Sequence, residues 1–292
     1  RLNLILNNLV HSLDNVVHGN TLLNPAHLNK EGNRLAQFDY IVSNPPFKTD
    51  FSDYRDKLED DKYSDRFFAG VPKIPKKDKD SMPIYLMFIQ HILFSLKDNG
   101  KSAIVVPTGF ITAKNGIEKE LLKYLVDNKI IKGVISMPKN LFATTGTNVS
   151  LLIIDKTSQT DEVMLIDASN IGEKIKDGKN QRTLLNNNDV ELIINSYISK
   201  NIIEDFSVLV PYDKIRLNKY SLNPGQYFEY KIVINELTSK EFNSQMDNYI
   251  ANLNKMFESS NKMEQNIIDL IKDLKIWYLM KQNIIPHGVQ KN

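Results

Sequence analysis

The segment Asn44-Pro45-Pro46-Phe47 carries the residue types in this chain that are best suited to chemistry. It directly follows the apolar run Phe38–Ser43, which predicts a buried strand. Two consecutive prolines stiffen the turn and hold the backbone carbonyl of Pro45 in a constant direction. The side-chain carbonyl of Asn44 adds a second acceptor, and Phe47 offers a ring that can stack on a flat ligand. Such a corner can hold an amino group by both of its hydrogens.

A simpler interpretation is that the two prolines only end the strand. Each proline removes a backbone donor and restricts the residue before it to extended conformations. That explanation covers Pro45 and Pro46 but not the flanking Asn44 and Phe47. No histidine or cysteine lies near the turn, so the chemistry expected there does not use a strong base of shifted pKa.

The elements that position this turn follow an alternating pattern. In the first half of the chain, short apolar runs alternate with helical patterns, which is typical of an α/β fold with a mostly parallel sheet. Strands are predicted at residues 38–43, 101–106, 131–137, 147–155 and 162–168. Helices are predicted at about 81–97, with Ser81 as N-cap, at 117–127 and at 189–197. Because a short loop joins strands 131–137 and 147–155, these two should pair antiparallel.

The composition limits the class of protein. At 292 residues, the chain can form one large or two modest domains. It has no cysteine, which excludes disulfides and thiolate zinc sites and agrees with a cytoplasmic setting. The net charge is only +2, so any contact with nucleic acid must come from local patches. The longest apolar stretches are too short to span a membrane, and the five histidines have no metal-binding spacing.

The order of short motifs along the chain resembles the modification subunits of type I restriction systems. The Asn-Pro-Pro-aromatic turn is similar to the catalytic signature of the methyltransferases that modify adenine N6 in DNA. Further motifs that carry the resemblance are Asn3–Leu6, His18–Leu22, Phe88–Gly100, Val106–Gly109 and Pro138–Gly146. Each motif alone is weak, but the ordered series is specific, and it extends from near residue 1 to about Tyr230.

The resemblance implies a Rossmann-like, S-adenosylmethionine-dependent methyltransferase that acts on DNA. The target adenine would leave the duplex, because its amino group is inaccessible in the stack. Asn44 and Pro45 would accept hydrogen bonds from the amine, Pro46 would stiffen the corner, and Phe47 would stack on the base. The motif Asn20-Thr21-Leu22 would lie at the adenine of the cofactor. The implied partners are a specificity subunit, a second modification subunit and a restriction subunit.

Two further groups of residues are candidates for contacts with the DNA. In the family, a second aromatic residue from a late hairpin closes over the other face of the base, and Phe142 lies in the corresponding loop. Phe142 could equally be an apolar plug under a surface loop. A long loop between the turn and the first helix carries Lys73, Lys76 and Lys77, which would contact phosphates. The simpler interpretation is a solvated loop of mixed charge.

The sequence departs from the family pattern in the part that would bind the cofactor. It lacks the Gly-rich turn that follows the first strand and the acidic residue that ends the second, and it has Asn20 where the family often has Asp. We therefore expect a truncated sheet without its first two strands, in a chain that starts inside a longer gene product. The strand before Asn44 should then have an open edge, and the chain alone should not bind S-adenosylmethionine measurably.

The tail follows a seven-residue repeat from about Leu237. One position of the repeat holds Met246, Leu253, Ser260, Ile267 and Leu274, and the other holds Tyr249, Met256, Met263, Leu270 and Trp277. Only Ser260 is polar, which predicts a coiled coil or a long helix packed on a partner. Packing on its own domain is the alternative. Because the resemblance implies a specificity subunit with helical spacers, we expect a helix-to-helix contact with that subunit.

These observations predict three regions and leave two functions open. Residues 1–170 would form a partial catalytic domain, 171–235 a mixed connecting region and 236–292 a helical segment. In the first function, the chain is part of a DNA adenine-N6 methyltransferase. In the second, it is a catalytically inert interaction module for the specificity subunit. The recognised DNA sequence is not encoded in this chain.

Overall fold

The computed structural model describes residues 2–142, 147–157, 160–178, 180–229 and 238–283. The chain divides into two compact units, residues 1–229 and 230–292. The first unit is an α/β domain that includes residues 171–229, and the second contains one long helix. Within the described ranges, no helix is both long enough and apolar enough to cross a membrane.

The first unit is built on a six-stranded sheet and a separate hairpin. The strands are β1 (Phe38–Ser43), β2 (Leu96–Pro107), β3 (Ile131–Ser136), β4 (Val149–Asp155), β5 (Glu162–Asp167), β6 (Glu173–Asp177), β7 (Asn180–Leu184) and β8 (Ser207–Pro211). The sheet has the order β1-β2-β4-β3-β5-β8, and β6 pairs with β7. β4 and β8 run antiparallel to their neighbours, while β1–β2 and β3–β5 are parallel pairs. Four of the six strands thus point the same way, and the predicted antiparallel pair β3–β4 is confirmed.

Seven α-helices accompany these strands in the described part of the chain. They are α1 (Leu2–Leu6), α2 (Arg55–Leu58), α3 (Tyr85–Ser95), α4 (Gly116–Asp127), α5 (Asn187–Ser199), α6 (Tyr212–Leu217) and α7 (Ser239–Asn283). Asn186 caps α5 by accepting a hydrogen bond from the Asp189 amide at 3.0 Å. The Asp189 carboxylate accepts a hydrogen bond from the Asn186 amide at 3.0 Å, and the two bonds form a capping box.

The junction between α3 and β2 differs from the prediction. Ser81 lies in a 3-10 turn and is not the N-cap, because α3 begins only at Tyr85. The helix ends at Ser95, and β2 starts at Leu96 rather than at Lys101. The early part of β2 bulges against β1. A Cβ atom at Gly100 would lie 2.7 Å from the Leu96 side chain and 3.0 Å from the Phe38 carbonyl, so the bulge needs glycine at this position.

Hydrophobic residues cover both faces of the sheet. Val134 packs with α3 and α4 in the main core, and the next residue, Ile135, packs with Ile193 of α5 on the opposite face. Successive strand residues point to opposite faces, so β3 is buried on both sides. A separate apolar cluster, which includes Leu22, Phe51, Phe67 and Met87, fastens the long loop after β1 to α3. This loop is therefore partly packed rather than wholly solvated.

β1 is the edge strand of the described sheet. Among the described residues it pairs only with β2, and Tyr40 and Val42 are 74% and 85% exposed. The expected open edge is thus present. The segment from Val16 to His18 is irregular and follows a 3-10 helix at Val10–Asn15.

Candidate active site

The corner Asn44–Phe47 lies at the surface directly after β1. Asn44 and Pro46 are exposed, Pro45 is buried and Phe47 is half-buried. No described residue donates a hydrogen bond to the Asn44 side chain or to the Pro45 carbonyl. Shortly after the corner, the Thr49 amide donates to the Met82 carbonyl at 3.2 Å, which ties the outgoing chain to the start of α3. Neither acceptor of the corner is thus occupied by a described donor.

A row of aromatic rings supports Phe47 from below. Phe47 meets Tyr85 edge to face, with ring centroids 6.5 Å apart and an angle of 82°. Tyr85 in turn meets Phe110 at 6.1 Å and 84°. Such edge-to-face pairs contribute about 0.5–1.5 kcal/mol each beyond the burial of area. Because Tyr85 and Phe110 are buried in the main core, they fix the position of Phe47 relative to the sheet.

A cavity of about 350 Å³ opens beside Phe47. Its walls come from the end of β2 at Pro107, from Phe110 and from Glu118 at the start of α4. The volume lies near the lower end of the range for ligand sites, about 300–1,000 Å³. Asn44, Pro45 and Pro46 are not among its described lining residues. The cavity is next to the ring that is predicted to stack on a base.

Tyr85 and Glu118 are polar groups in the wall of this cavity. Burial raises the pKa of the Tyr85 hydroxyl, and the charge of the neighbouring Glu118 carboxylate raises it further. Tyr85 therefore keeps its proton at neutral pH. Neither residue stands out in the sequence as a candidate for this site. The only indication of Tyr85 in the sequence is its place two residues after Pro83, at the start of a predicted helix.

The motif Asn20-Thr21-Leu22 forms a compact turn that is held from several sides. The Asn20 side-chain oxygen accepts from the amides of Leu22 and Leu23 at 3.0 and 3.1 Å. Leu22 is buried in the second apolar cluster, and its carbonyl accepts a hydrogen bond from Arg66. Thr21 is exposed. Of the three residues, Thr21 presents its side chain outward, whereas Asn20 and Leu22 hold the turn together.

A second cavity of about 350 Å³ lies between this motif and the exposed edge of the sheet. Thr21, Gly19, Tyr40 and His91 are among its lining residues. No carboxylate is present among the described lining residues, although a ribose is usually gripped by an acidic side chain. The described lining residues therefore do not fit S-adenosylmethionine as a complete site.

The remaining candidates are not among the described lining residues of the cavity beside Phe47. Lys73, Lys76 and Lys77 are exposed in the long loop and form no ion pair with any described residue. Phe142 is half-buried in the β3–β4 loop. The hairpin β6–β7 holds the start of that loop through Thr183. The Thr183 hydroxyl donates a hydrogen bond to the Lys139 carbonyl at 2.7 Å, and the Thr183 amide donates one to the Asn140 carbonyl at 3.1 Å. Phe142 does not belong to the described lining of the cavity beside Phe47.

The strand order, the helices on both faces and the rigid corner after β1 define the Rossmann-like class of S-adenosylmethionine-dependent methyltransferases. Comparison with known proteins makes the assignment specific. The model of the family N-6 DNA Methylase matches residues 1–236, and the chain belongs to this family. The resemblance predicted from the motifs is confirmed.

Several relatives are methylase subunits of type I restriction enzymes. The MpnII methylase subunit of Mycoplasma pneumoniae is 31% identical over 281 residues, which cover 94% of this chain and 48% of the relative. The MjaIX methylase subunit of Methanocaldococcus jannaschii is 27% identical, with 81% and 42% covered. The crystal structure of a type I restriction-modification methyltransferase subunit from Streptococcus thermophilus matches with a TM-score of 0.63 at 26% identity, covering 78% of this chain and 45% of that one. The chain spans about half the length of the curated relatives it matches.

Proposed function

We propose that this chain is part of the modification subunit of a type I restriction-modification complex and methylates adenine N6 in DNA. The methyl donor is S-adenosylmethionine, and the adenine is flipped out of the duplex. The observation that carries this proposal is the corner after β1. It combines two acceptors without described partners, in Asn44 and Pro45, with a ring at the edge of a cavity.

The corner addresses the main chemical difficulty of the reaction. An adenine N6 amine is a poor nucleophile, because its lone pair is delocalised into the ring. The Asn44 side-chain oxygen and the Pro45 carbonyl would each accept one N6 hydrogen, which favours a pyramidal nitrogen whose lone pair is available. Pro46 keeps the second acceptor in a constant direction. Phe47 would stack on the flipped base, and the rings of Tyr85 and Phe110 hold Phe47 in place.

The contacts with cofactor and DNA outside the corner follow from the same proposal. Thr21 would face the adenine of the cofactor, on a turn that Asn20 and Leu22 hold in shape. Lys73, Lys76 and Lys77 would contact the phosphates beside the flipped base, and Phe142 would approach the base from the other side. The described lining of the cavity beside Thr21 contains no carboxylate that would hold the ribose of the cofactor.

The test is the replacement Asn44→Ala in the protein that carries this chain, assembled with its specificity subunit. Transfer of a labelled methyl group to DNA should fall by about 100-fold or more, because one transition-state hydrogen bond of a preorganised site is lost. Binding of the DNA should change little. Asn195→Ala, at an exposed position of α5, serves as the control. Methyl transfer at the full rate by the Asn44→Ala protein would refute the proposed role of the corner.

One observation favours a second function, that of an interaction module for the specificity subunit. α7 is 45 residues long, and its predicted apolar stripe is exposed, with Met246, Leu253 and Leu270 at 42%, 51% and 63%. The two functions are separable by experiment. A chain that binds the specificity subunit but supports no methyl transfer in the full assembly would be an interaction module alone.

A further inference from the structure

A large cavity with charged walls lies away from the corner in the first unit. Its volume is about 1050 Å³, and its walls come from the segment before β1, from residues around Arg66 and from the end of α3. Gln37, which lines it, immediately precedes β1, whereas Asn44 immediately follows β1. Because six strand residues extend about 20 Å, the two sites are at opposite ends of the strand. The proposed function does not use this cavity.

The lining of this cavity is strongly basic. Five basic side chains face one acidic side chain, Asp65, among the described lining residues: Lys30, Arg34, Lys62, Arg66 and Lys97. Lys97 is paired with Asp39 at 2.9 Å, and Lys62 lies 3.9 Å from Asp60. Lys30 and Arg34 form no ion pair with any described residue. The lining of the cavity therefore has a net positive charge even after the ion pairs of Lys97 and Lys62 are taken into account.

Arg66 is the residue that distinguishes this cavity from a patch of surface lysines. Its side chain is only 3% exposed. The guanidinium donates to the Leu22 carbonyl, and its Nε atom has no hydrogen-bond partner among the described residues. It packs on the rings of Tyr63 and Phe67 at 4.7 and 4.4 Å, and no described carboxylate pairs with it. Burial without a counter-ion lowers the pKa of Arg66.

A buried cation that lacks an anionic partner costs stability. The two neighbouring basic side chains, Lys30 and Arg34, are exposed at the mouth of the same cavity. A carboxylate offers two oxygens to such a set, whereas a phosphate offers three or more acceptors and matches the guanidinium fork in the same way. The volume is several times what one small anion needs, so the ligand can be larger than the phosphate itself.

We propose that this cavity binds a phosphate group, with Arg66 as the buried anchor and Lys30 and Arg34 closing over the ligand. The phosphate comes either from a small phosphate compound or from a nucleic-acid backbone. The two sources share the chemistry of recognition and differ in the size of the ligand that enters.

The test is isothermal titration calorimetry of the full chain with pyrophosphate and, separately, with a six-nucleotide thymidine oligomer. At least one of the two probes should bind with a stoichiometry of one. Lys30→Gln combined with Arg34→Gln should weaken that binding about tenfold or more, because charge-assisted hydrogen bonds are lost. Lys174→Gln with Lys176→Gln removes the same charge from exposed positions of β6 and should leave the affinity unchanged.

Arg66→Gln should abolish binding, and if that variant fails to fold, the Lys30 and Arg34 pair decides the question. If pyrophosphate binds, a small phosphate compound is enough to occupy the cavity. If only the oligomer binds, the phosphate group comes from a nucleic-acid backbone. The proposal is overturned if neither probe binds at millimolar concentration, if citrate binds as tightly as pyrophosphate, or if the double variant matches the Lys174 and Lys176 control. Each of these results is independent of methyl transfer.

Discussion

His91 shows how burial sets the charge of a single side chain in this fold. It lies on α3 beside the cavity at the sheet edge. Burial lowers the pKa of His91 to about 4, and the positive charge of Arg66 also lowers it. The folded protein therefore prefers the neutral ring more strongly than the unfolded chain does, whose histidines titrate near 6.5.

A pH dependence follows from this difference. Above about pH 6.5 the ring is neutral in both states and has no effect. As the pH falls from 6.5 towards 4, His91 becomes protonated in the unfolded chain but stays neutral in the folded protein. The free energy of unfolding therefore decreases, by at most about 3 kcal/mol. His91→Gln should reduce the loss of stability between pH 7 and pH 4.5 in urea unfolding. His11→Gln, at an exposed position, should not. Equal losses in the two variants would contradict the assignment.

At the scale of elements, the hairpin β6–β7 positions the loop that carries Phe142. Thr183 is buried and holds the carbonyls of Lys139 and Asn140. Gly172, with a φ of +88°, passes so close to Thr183 that a Cβ atom would lie 2.8 Å from the Thr183 methyl group. The chain entering β6 therefore approaches β7 through a contact that only glycine permits.

Thr183→Val should loosen this loop without changing the size of the side chain. The Lys139 carbonyl loses a hydrogen bond in a partly buried position, which should cost about 0.5–1.5 kcal/mol. Amide hydrogen exchange at residues 139–142 should become faster. Thr183→Ser keeps the hydroxyl and should restore protection. If the valine variant retains slow exchange, the hairpin does not hold the loop.

The long loop after β1 offers a second prediction at this scale. Lys73, Lys76, Lys77 and Lys79 are exposed, and each phosphate that a lysine neutralises releases counterions. Replacing all four with Gln in the assembled enzyme should flatten the dependence of DNA affinity on salt concentration. The exposed Lys174 and Lys176 of β6, replaced in the same way, form the control. If the dependence of DNA affinity on salt concentration does not change, these lysines do not contact the DNA.

The elements differ in how far sequence alone could predict them. β1, β3, β4, β5 and α4 are found close to their predicted places, because apolar runs bounded by turn residues determine them locally. The start of β2 could not be predicted, since it depends on the contact of Gly100 with Leu96 and Phe38. β6 and β7 lack an apolar run, so the hairpin gave no pattern. At the site, the corner was visible in the chain, whereas Tyr85 and Glu118 meet Phe47 only after folding.

At the scale of the whole molecule, α7 is the element with the most exposed apolar surface. Besides the two predicted columns of the heptad repeat, a third heptad position holds Ile250, Phe257, Glu264 and Ile271, and its three apolar residues are exposed. Three columns make a wider face than the seam of a two-stranded coiled coil, and such a face is typical of helices in a bundle. The proposed partner should therefore present more than one helix to α7.

Charge placed in this face should prevent assembly with the specificity subunit. Met246→Lys with Leu253→Lys puts two cations into the apolar columns. The free energy needed to bury an unpaired charge is far larger than the free energy gained from the apolar contact. Co-purification of the two subunits should be lost. Asn248→Lys with Ala251→Lys adds the same charge to the same helix on positions outside the three columns, and it should leave the complex intact. If the first pair still co-purifies, α7 does not form the contact. If both pairs fail, the loss reflects added charge on the helix and not its apolar face.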